Sequence, residues 1–313
     1  MHMYFVYALT DPRTGTVAYV GITNNAYERF KQHISYRDNN GKKHAWIQQL
    51  QQEKVMPAMK ILEIVEDEET ALNRERYWIN YYKAQGIQLT NLYLINPYLP
   101  PVRRAAPQKH EIIGDSPDIV FSPSTPNDLW AEFTIDRSLY GEDDIVPFKR
   151  LLEWREINDE MYMSIKENGK VVAYSSLMPL EQDIILALLE DKIRERDIPL
   201  TAIQQWTDPG LSVYVASITV KPSGILQRDR ELGGILIRHT VKWALSLDRQ
   251  SDIKSWYGIG ATKEGQHLFE RLGFTEIISL YNGERKGYHI ENVKQPVRFI
   301  NQISREISHQ AET

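Results

Sequence analysis

Residues 4–22 read YFVYALTDPRTGTVAYVGI. The two ends of this stretch are rich in valine, tyrosine and phenylalanine, residues that favour β-strands, so we expect strands over Tyr4–Thr10 and Thr16–Ile22. Between them, residues 11–15 contain a proline, which presets φ, and a glycine, which supplies a positive φ at the exit. The stretch therefore predicts a β-hairpin at the start of the chain.

The register of this hairpin decides which side chains meet. If the loop has five residues, Thr10 faces Thr16 and Tyr7 lies directly opposite Tyr19. Directly opposed residues point to the same face of a sheet, with Cβ atoms about 5 Å apart. Two phenols would then converge, either as a packed aromatic pair or as part of a functional site.

A helix is expected directly after the hairpin. Asn25 and Glu28 have the spacing of an N-cap residue and its N3 partner. The residues of the inward stripe would be Ala26, Phe30, His33 and Ile34. Arg29 and His33 are four residues apart and share one edge of the helix, where they could meet one anion.

A helix with a carboxylate on its apolar face is expected further along the chain. We predict a basic loop over residues 40–44, a helix over residues 45–54, a strand near Met59–Val65 and a helix over Thr70–Lys83. In the last helix Glu75 shares the apolar face with Trp78, Ile79 and Tyr82. A carboxylate there must be neutralised by a neighbouring cation or bound to a metal ion, and the sequence leaves both open.

Composition and charge limit the classes of protein. The 313 residues contain no cysteine, which excludes disulfides, cysteine-bound zinc and a thiol nucleophile. With no run of about 18 apolar residues and no secretory leader pattern, we expect a cytoplasmic chain without a membrane partner. The net charge of −5 hides an asymmetry, because residues 1–110 hold 14 basic and 10 acidic residues and the remainder holds 23 and 32. The first part is therefore mildly basic and the second acidic.

Proline marks the expected boundary between two domains. Residues 96–107 include four prolines, which disfavour helices and central strands and favour an extended spacer. We expect the following organisation: an N-terminal domain at 1–95, a proline-rich linker at 96–114, a second domain at 115–295 and a helical tail at 296–313.

The N-terminal residues resemble the GIY-YIG nuclease family, above all its homing-endonuclease branch. Phe5-Val6-Tyr7 stands where the family has Gly-Ile-Tyr, and Tyr19-Val20-Gly21 stands where it has Tyr-Ile-Gly. The likeness covers about residues 3–93. The site residues that it implies are Tyr7, Tyr19, Arg29, His33, His44, Glu75 and Asn91.

This resemblance implies a metal-dependent endonuclease that hydrolyses phosphodiester bonds in DNA, with RNA left open. Glu75 would bind one Mg²⁺ or Mn²⁺ ion, and Tyr7 would act as the general base or orient the attacking water. Arg29 would contact the scissile phosphate, Tyr19 and His33 would orient water and phosphate, and His44 would assist proton transfer. Asn91 would fix the local structure.

The second domain is expected to be a mixed sheet with helices. We predict strands at residues 161–166, 171–178, 212–220, 253–260, 276–281 and 286–290, and helices at 152–157, 184–193, 234–247 and 262–272. Asn168-Gly169 marks a hairpin turn between the first two strands. The basic glycine-containing segment 221–233 joins a strand to a helix, where free N–H groups can cradle a phosphate or merely form an ordinary connection.

Over about residues 117–292 this pattern resembles the GCN5-related N-acetyltransferase (GNAT) family, and the whole chain is then of the α+β class. The likeness rests on residues 230–235 (RELGGI) and on 265–274 (GQHLFERLGF). It implies binding of acetyl-CoA, with the diphosphate held by Val220, Arg228, Arg230, Leu232, Gly233 and Gly234. Two departures are that Ile235 replaces a small residue, and that Phe269 stands where many members have a proton-donating tyrosine.

Three functions remain in competition at this point. The first is a GIY-YIG endonuclease with a fused acyl-CoA-binding or acetyltransferase-like domain. The second is an acetyl-CoA-dependent N-acetyltransferase that its N-terminal domain delivers to nucleic acid. The third is a non-catalytic regulatory or interaction protein, and the sequence does not indicate an oligomeric state.

Overall fold

A computed structural model of the chain describes residues 3–35, 41–91, 119–141 and 145–291. The predicted linker at 96–114 and the predicted tail at 296–313 lie outside these ranges. The chain divides into two compact units, Met1–Gln108 and Lys109–Thr313. In the described ranges, no helix has both the length and the apolar character that a membrane crossing requires.

The N-terminal unit is a three-stranded antiparallel sheet with helices. Its strands are β1 (Tyr4–Thr10), β2 (Val17–Thr23) and β3 (Ala58–Val65), in the order β2-β1-β3, so β1 is central. Its helices are α1 (Ala26–Ile34), α2 (Gly41–Gln52) and α3 (Glu68–Ala84). One core cluster joins buried side chains of β1 and β2 to Ile79 on α3, with Trp78 and Tyr82 packed against it.

The hairpin forms as predicted, but its register differs. Tyr7 pairs with Gly21 and Leu9 pairs with Tyr19, because Thr10 pairs with Val17 instead of Thr16 and an irregularity between Leu9 and Thr10 adds one more residue on β2. The prediction that Tyr7 lies directly opposite Tyr19 was therefore wrong. Since the displacement is two residues and side chains alternate with a period of two, both phenols still point to the same face.

The helix boundaries follow local capping, with one correction. The side chain of Asn25 accepts a hydrogen bond from the Glu28 amide and begins α1 as expected, and Asp67 caps α3 in the same way. The prediction of a basic loop at residues 40–44 is wrong from Gly41 onward, because α2 already begins there. Its buried residues Lys43, Ile47 and Leu50 follow the helical period, and this burial outweighs the loop tendency of the polar run.

The second unit is a seven-stranded mixed sheet in the order β4-β5-β6-β7-β8-β10-β9. Its strands are β4 (Ile119–Pro123), β5 (Tyr162–Glu167), β6 (Lys170–Leu180), β7 (Leu211–Val220), β8 (Ile253–Gly260), β9 (Thr275–Leu280) and β10 (Arg285–Ile290). Its helices are α4 (Pro126–Tyr140), α5 (Phe148–Ile157), α6 (Gln182–Leu189), α7 (Leu226–Gln250) and α8 (Lys263–Arg271). Together the two units confirm the α+β class.

Two details concern the end of β7 and the helix that follows it. The pairing of β7 with β8 is parallel, and its last pair is Val215 with Gly258, so β7 continues past the end of the ladder. The helix that follows β7 begins at Leu226, whereas the sequence predicted a start at Gly234. The loop prediction for residues 226–233 is therefore wrong, because residues 226–232 are mostly good helix formers and extend α7 by about two turns.

Candidate active site

The centre of the N-terminal site is the buried hydroxyl group of Tyr7. Its oxygen lies 2.8 Å from Nε2 of His33, and Arg29 donates a hydrogen bond to it from Nε at 3.3 Å. Both Tyr7 and His33 are almost completely buried. A phenol has one hydrogen to donate, so Tyr7 can accept from Arg29 and donate to an unprotonated Nε2 of His33.

Tyr19 completes an aromatic triangle around this hydroxyl group. The ring centroids of Tyr7 and Tyr19 are 6.3 Å apart, those of Tyr7 and His33 are 5.7 Å apart, and those of Tyr19 and His33 are 5.5 Å apart. The two-residue register difference therefore makes the tyrosines diagonal neighbours, a separation that long aromatic side chains can span.

Gly21 leaves the space that this arrangement needs. A Cβ atom at Gly21 would lie 2.6 Å from the Tyr7 hydroxyl oxygen and 2.7 Å from Cε1 of Tyr19. Real Cβ atoms do not approach other atoms this closely. The glycine of the Tyr19-Val20-Gly21 segment is thus required by the two phenols on either side of it.

Electrostatics keep the Tyr7 phenol protonated. Burial raises the pKa of Tyr7 well above its ordinary value, Tyr19 adds to the rise, and the positive charge of Arg29 opposes it. The negative charge of Glu75 raises this pKa further, so the carboxylate acts on the same hydroxyl group. Tyr7 therefore carries its proton in the metal-free protein.

Glu75 lies on α3 and is half-buried. Burial raises the pKa of its carboxyl group, while the charges of Arg76 and Arg29 oppose the rise. Arg74, the residue directly before Glu75, forms an ion pair with Glu63. A partly desolvated carboxylate of this kind gains from an added cation.

A hard divalent cation fits this position. A carboxylate oxygen is a ligand that Mg²⁺ and Mn²⁺ accept, and Mg²⁺ usually keeps several waters. Within the ranges that the structure describes, no group of three or more His, Cys, Asp or Glu side chains could hold a metal ion. The residues present therefore suit a cation held through Glu75, with water and substrate oxygens as its other ligands.

Lys43 is a site residue that the sequence analysis missed. Its side chain is 1 % exposed, and its ammonium group lies 4.2 Å from the centroid of the Tyr19 ring. The signal that could have found it is the spacing of Lys43, Ile47 and Leu50, which places the lysine on the buried face of a helix. The predicted loop at this position obscured that spacing.

Two further predicted residues lie on α2 and beside β2. His44 is half-buried on α2 and, one residue after Lys43, points about 100° around the helix from it. Asn91 accepts a hydrogen bond from the Val20 amide and donates one to the Val20 carbonyl, at 3.0 and 2.7 Å. This pair of bonds attaches Asn91 to the backbone of β2, next to Gly21.

The predicted diphosphate residues of the second unit lie mostly within α7. Val220 ends β7, Leu232 is buried, and Arg228 contacts the carboxylate of Glu167. The residues that fall inside the helix are Arg228, Arg230, Leu232, Gly233 and Gly234. Phe269 is 5 % exposed, and its ring stacks on Tyr288 at a centroid distance of 5.2 Å.

The N-terminal part of the chain matches a known family in sequence. Residues 3–88 match the sequence model of the GIY-YIG catalytic domain. No curated protein matches the chain in sequence.

Solved structures similar to the chain include acetyltransferases at low identity. Arabidopsis thaliana NAA60 in complex with acetyl-CoA has 17% identity and a TM-score of 0.37, covering 56% of this chain and 99% of its own. The putative acetyltransferase yncA from Salmonella typhimurium, solved with acetyl-CoA, has 15% identity and a TM-score of 0.37, covering 56% and 94%. An acetyltransferase of the GNAT family from Bacillus cereus has 11% identity and a TM-score of 0.34, covering 56% and 97%.

The family match extends over β1 to α3, the elements that carry Tyr7, Tyr19, Arg29, His33 and Glu75. The N-terminal unit of this chain is therefore a GIY-YIG domain.

Proposed function

We propose that the N-terminal unit is a metal-dependent endonuclease that hydrolyses phosphodiester bonds in DNA. The observation that supports it most directly is the buried Tyr7 hydroxyl group, which lies within hydrogen-bond distance of both His33 and Arg29. Hydrolysis of a phosphodiester requires removal of a proton from water and stabilisation of negative charge on the phosphoryl group. The cluster offers groups suited to both requirements.

His33 and Tyr7 form a route for the proton. Because the Tyr7 phenol keeps its proton, it accepts one from the attacking water only as it passes its own to Nε2 of His33. The unprotonated Nε2 of His33 lies 2.8 Å from the phenol oxygen and is a suitable acceptor. In this scheme Tyr7 orients the water and relays the proton without a free phenolate.

Arg29 and Glu75 would serve to stabilise the negative charge on the phosphoryl group. The guanidinium group is a rigid, permanently charged fork that suits a phosphate, and Arg29 already donates to the Tyr7 oxygen. A Mg²⁺ or Mn²⁺ ion held through Glu75 would supply electrophilic stabilisation of the phosphate and the leaving oxygen. Glu75 would position that ion next to the same hydroxyl group on which its charge acts.

The test is cleavage of plasmid, single-stranded and branched DNA by the full chain, with Mg²⁺ and with EDTA. We expect cleavage with Mg²⁺ that Glu75→Ala abolishes, because the cation then loses its carboxylate. Glu69→Ala is the matched control, since Glu69 is an exposed carboxylate on the first turn of the same helix. Cleavage that persists in Glu75→Ala at the wild-type rate would disprove the proposal.

A further inference from the structure

The connection between β7 and α7 uses its own backbone donors. The Lys221 amide donates to the Val172 carbonyl at 2.9 Å, and the Ser223 amide donates to both carboxylate oxygens of Asp229 at 3.0 and 3.3 Å. The Ile225 amide donates to the Ser223 hydroxyl oxygen at 3.1 Å. Backbone N–H groups are the usual ligands of a phosphate at a helix N-terminus, and the amides of Lys221, Ser223 and Ile225 are already engaged within the chain.

A carboxylate sits where an anion would bind. Asp229 is on the first turn of α7, where the exposed amides and the helix dipole attract negative charge. Its side chain folds back onto the Ser223 amide, in the loop that enters the helix. The Ser223 amide is therefore already paired with a negatively charged group of the chain itself.

The glycine pair lies too deep in the helix to form a cradle. Gly233 and Gly234 are about two turns inside α7, and in an α-helix each such amide donates to the carbonyl four residues earlier. A Cβ atom at Gly233 would make only an ordinary contact, at 3.8 Å to Val220, and one at Gly234 would meet nothing within 4 Å. Neither glycine marks a place of close approach.

The nearby guanidinium group is also engaged. Arg228 contacts the carboxylate of Glu167, which ends β5. A phosphate would have to compete with this carboxylate for the arginine, and with Asp229 for the backbone donors. Both competitors are tethered to the chain, so they act at high local concentration.

We infer that the second unit does not bind acetyl-CoA through the β7–α7 connection, because Asp229 already engages the Ser223 amide and Glu167 already engages Arg228. The residues that the sequence suggested for the cofactor do not fit it in this fold. The inference concerns the second unit alone and is independent of the proposed nuclease activity.

Calorimetric titration of the full chain with acetyl-CoA and with inorganic pyrophosphate tests this inference. We expect wild type to show no saturable binding of either up to about 1 mM. Asp229→Asn removes the charge but keeps the shape, so it should bind pyrophosphate measurably and at least about tenfold more tightly than wild type. Asp229→Ser is a second uncharged variant, and circular dichroism shows whether each variant is folded.

Asp183→Asn is the matched control, because Asp183 is an exposed aspartate on the first turn of α6 in the same unit. It should titrate as wild type does. Micromolar binding of acetyl-CoA by wild type would overturn the inference. It would also be overturned if folded Asp229→Asn and Asp229→Ser both titrate like wild type, since the carboxylate would then not close the connection.

Discussion

Tyr7 has no exposed surface, and this burial defines what the residue can do. A buried phenol with a raised pKa needs a partner that takes its proton, and His33 lies 2.8 Å away. Tyr7, Tyr19, Arg29 and His33 lie in contact in the folded chain. Lys43 could not be inferred from the family resemblance, because its position depends on where α2 begins and not on a motif.

Replacement of Gly21 should damage the site through sterics alone. In Gly21→Ala the new methyl group overlaps the Tyr7 hydroxyl oxygen and the Tyr19 ring, both held in place by packing. We expect loss of DNA cleavage and destabilisation by about 1–3 kcal/mol, measured by urea unfolding. Gly41→Ala is the control, since a Cβ atom there meets nothing within 4 Å. Full activity in Gly21→Ala would contradict the packing described for Tyr7.

The charge of Lys43 can be tested separately from its bulk. Lys43→Met fills similar space without the charge next to Tyr19, so the fold should survive while the cleavage rate falls about 10²-fold. Lys43→Arg should retain more activity than Lys43→Met, because it keeps a cation near the ring. Lys42→Met, at an exposed neighbouring position, should cleave DNA like wild type. Equal rates for Lys43→Met and wild type would remove Lys43 from the site.

At the level of elements, the spacing of apolar residues and the chemistry of turns predicted most of the strands and helices. The Asn168-Gly169 turn has positive φ at both residues, 51° and 72°, as expected for a tight hairpin, and β8 has the predicted bounds Ile253–Gly260. The errors arose where two signals compete. A turn one residue longer than predicted and a strand irregularity together shifted the first hairpin by two residues, and good helix formers extended α7 through a glycine pair that resembles a loop.

The position of this glycine pair gives a stability prediction. Gly234 lies inside α7, and a Cβ atom there has free space. Gly234→Ala should therefore raise the free energy of unfolding by about 0.5–1 kcal/mol, because alanine loses less backbone entropy in a helix. Thermal or urea unfolding followed by circular dichroism measures it. Gly258→Ala gives the opposite comparison, since its Cβ atom would lie 2.1 Å from Phe269. A destabilised Gly234→Ala would mean that the helix does not run through this residue.

At the scale of the whole molecule, the free energy of unfolding should depend on pH. Glu132 should make the second unit less stable in mild alkali than in mild acid. Burial raises the pKa of Glu132 to about 8, and Ser124 donates a hydrogen bond to the carboxyl group at 2.6 Å. The folded state therefore binds a proton that the unfolded state has lost. This stabilisation is complete below the ordinary pKa near 4.5 and is lost as the pH rises toward 8.

Glu132→Gln isolates this effect, because an amide keeps an oxygen for Ser124 but carries no charge. We expect the variant to unfold like wild type at pH 4.5 and to be more stable by up to a few kcal/mol at pH 8. Urea unfolding of the full chain across this range measures the difference. Identical pH profiles for the two proteins would show that Glu132 does not titrate on folding.

The hydrogen bonds of Thr90 and Asn91 have a further consequence for solubility. β2 is an edge strand, and edge strands with open backbone groups pair with strands of other molecules and aggregate. The Thr90 amide donates to the Ala18 carbonyl at 2.7 Å, and Asn91 pairs with both backbone groups of Val20. These two residues lie beyond residue 88, where the family match ends. An N-terminal unit cut at that residue would expose the edge of β2 to intermolecular pairing, whereas one that keeps Asn91 has backbone groups of that edge already hydrogen-bonded.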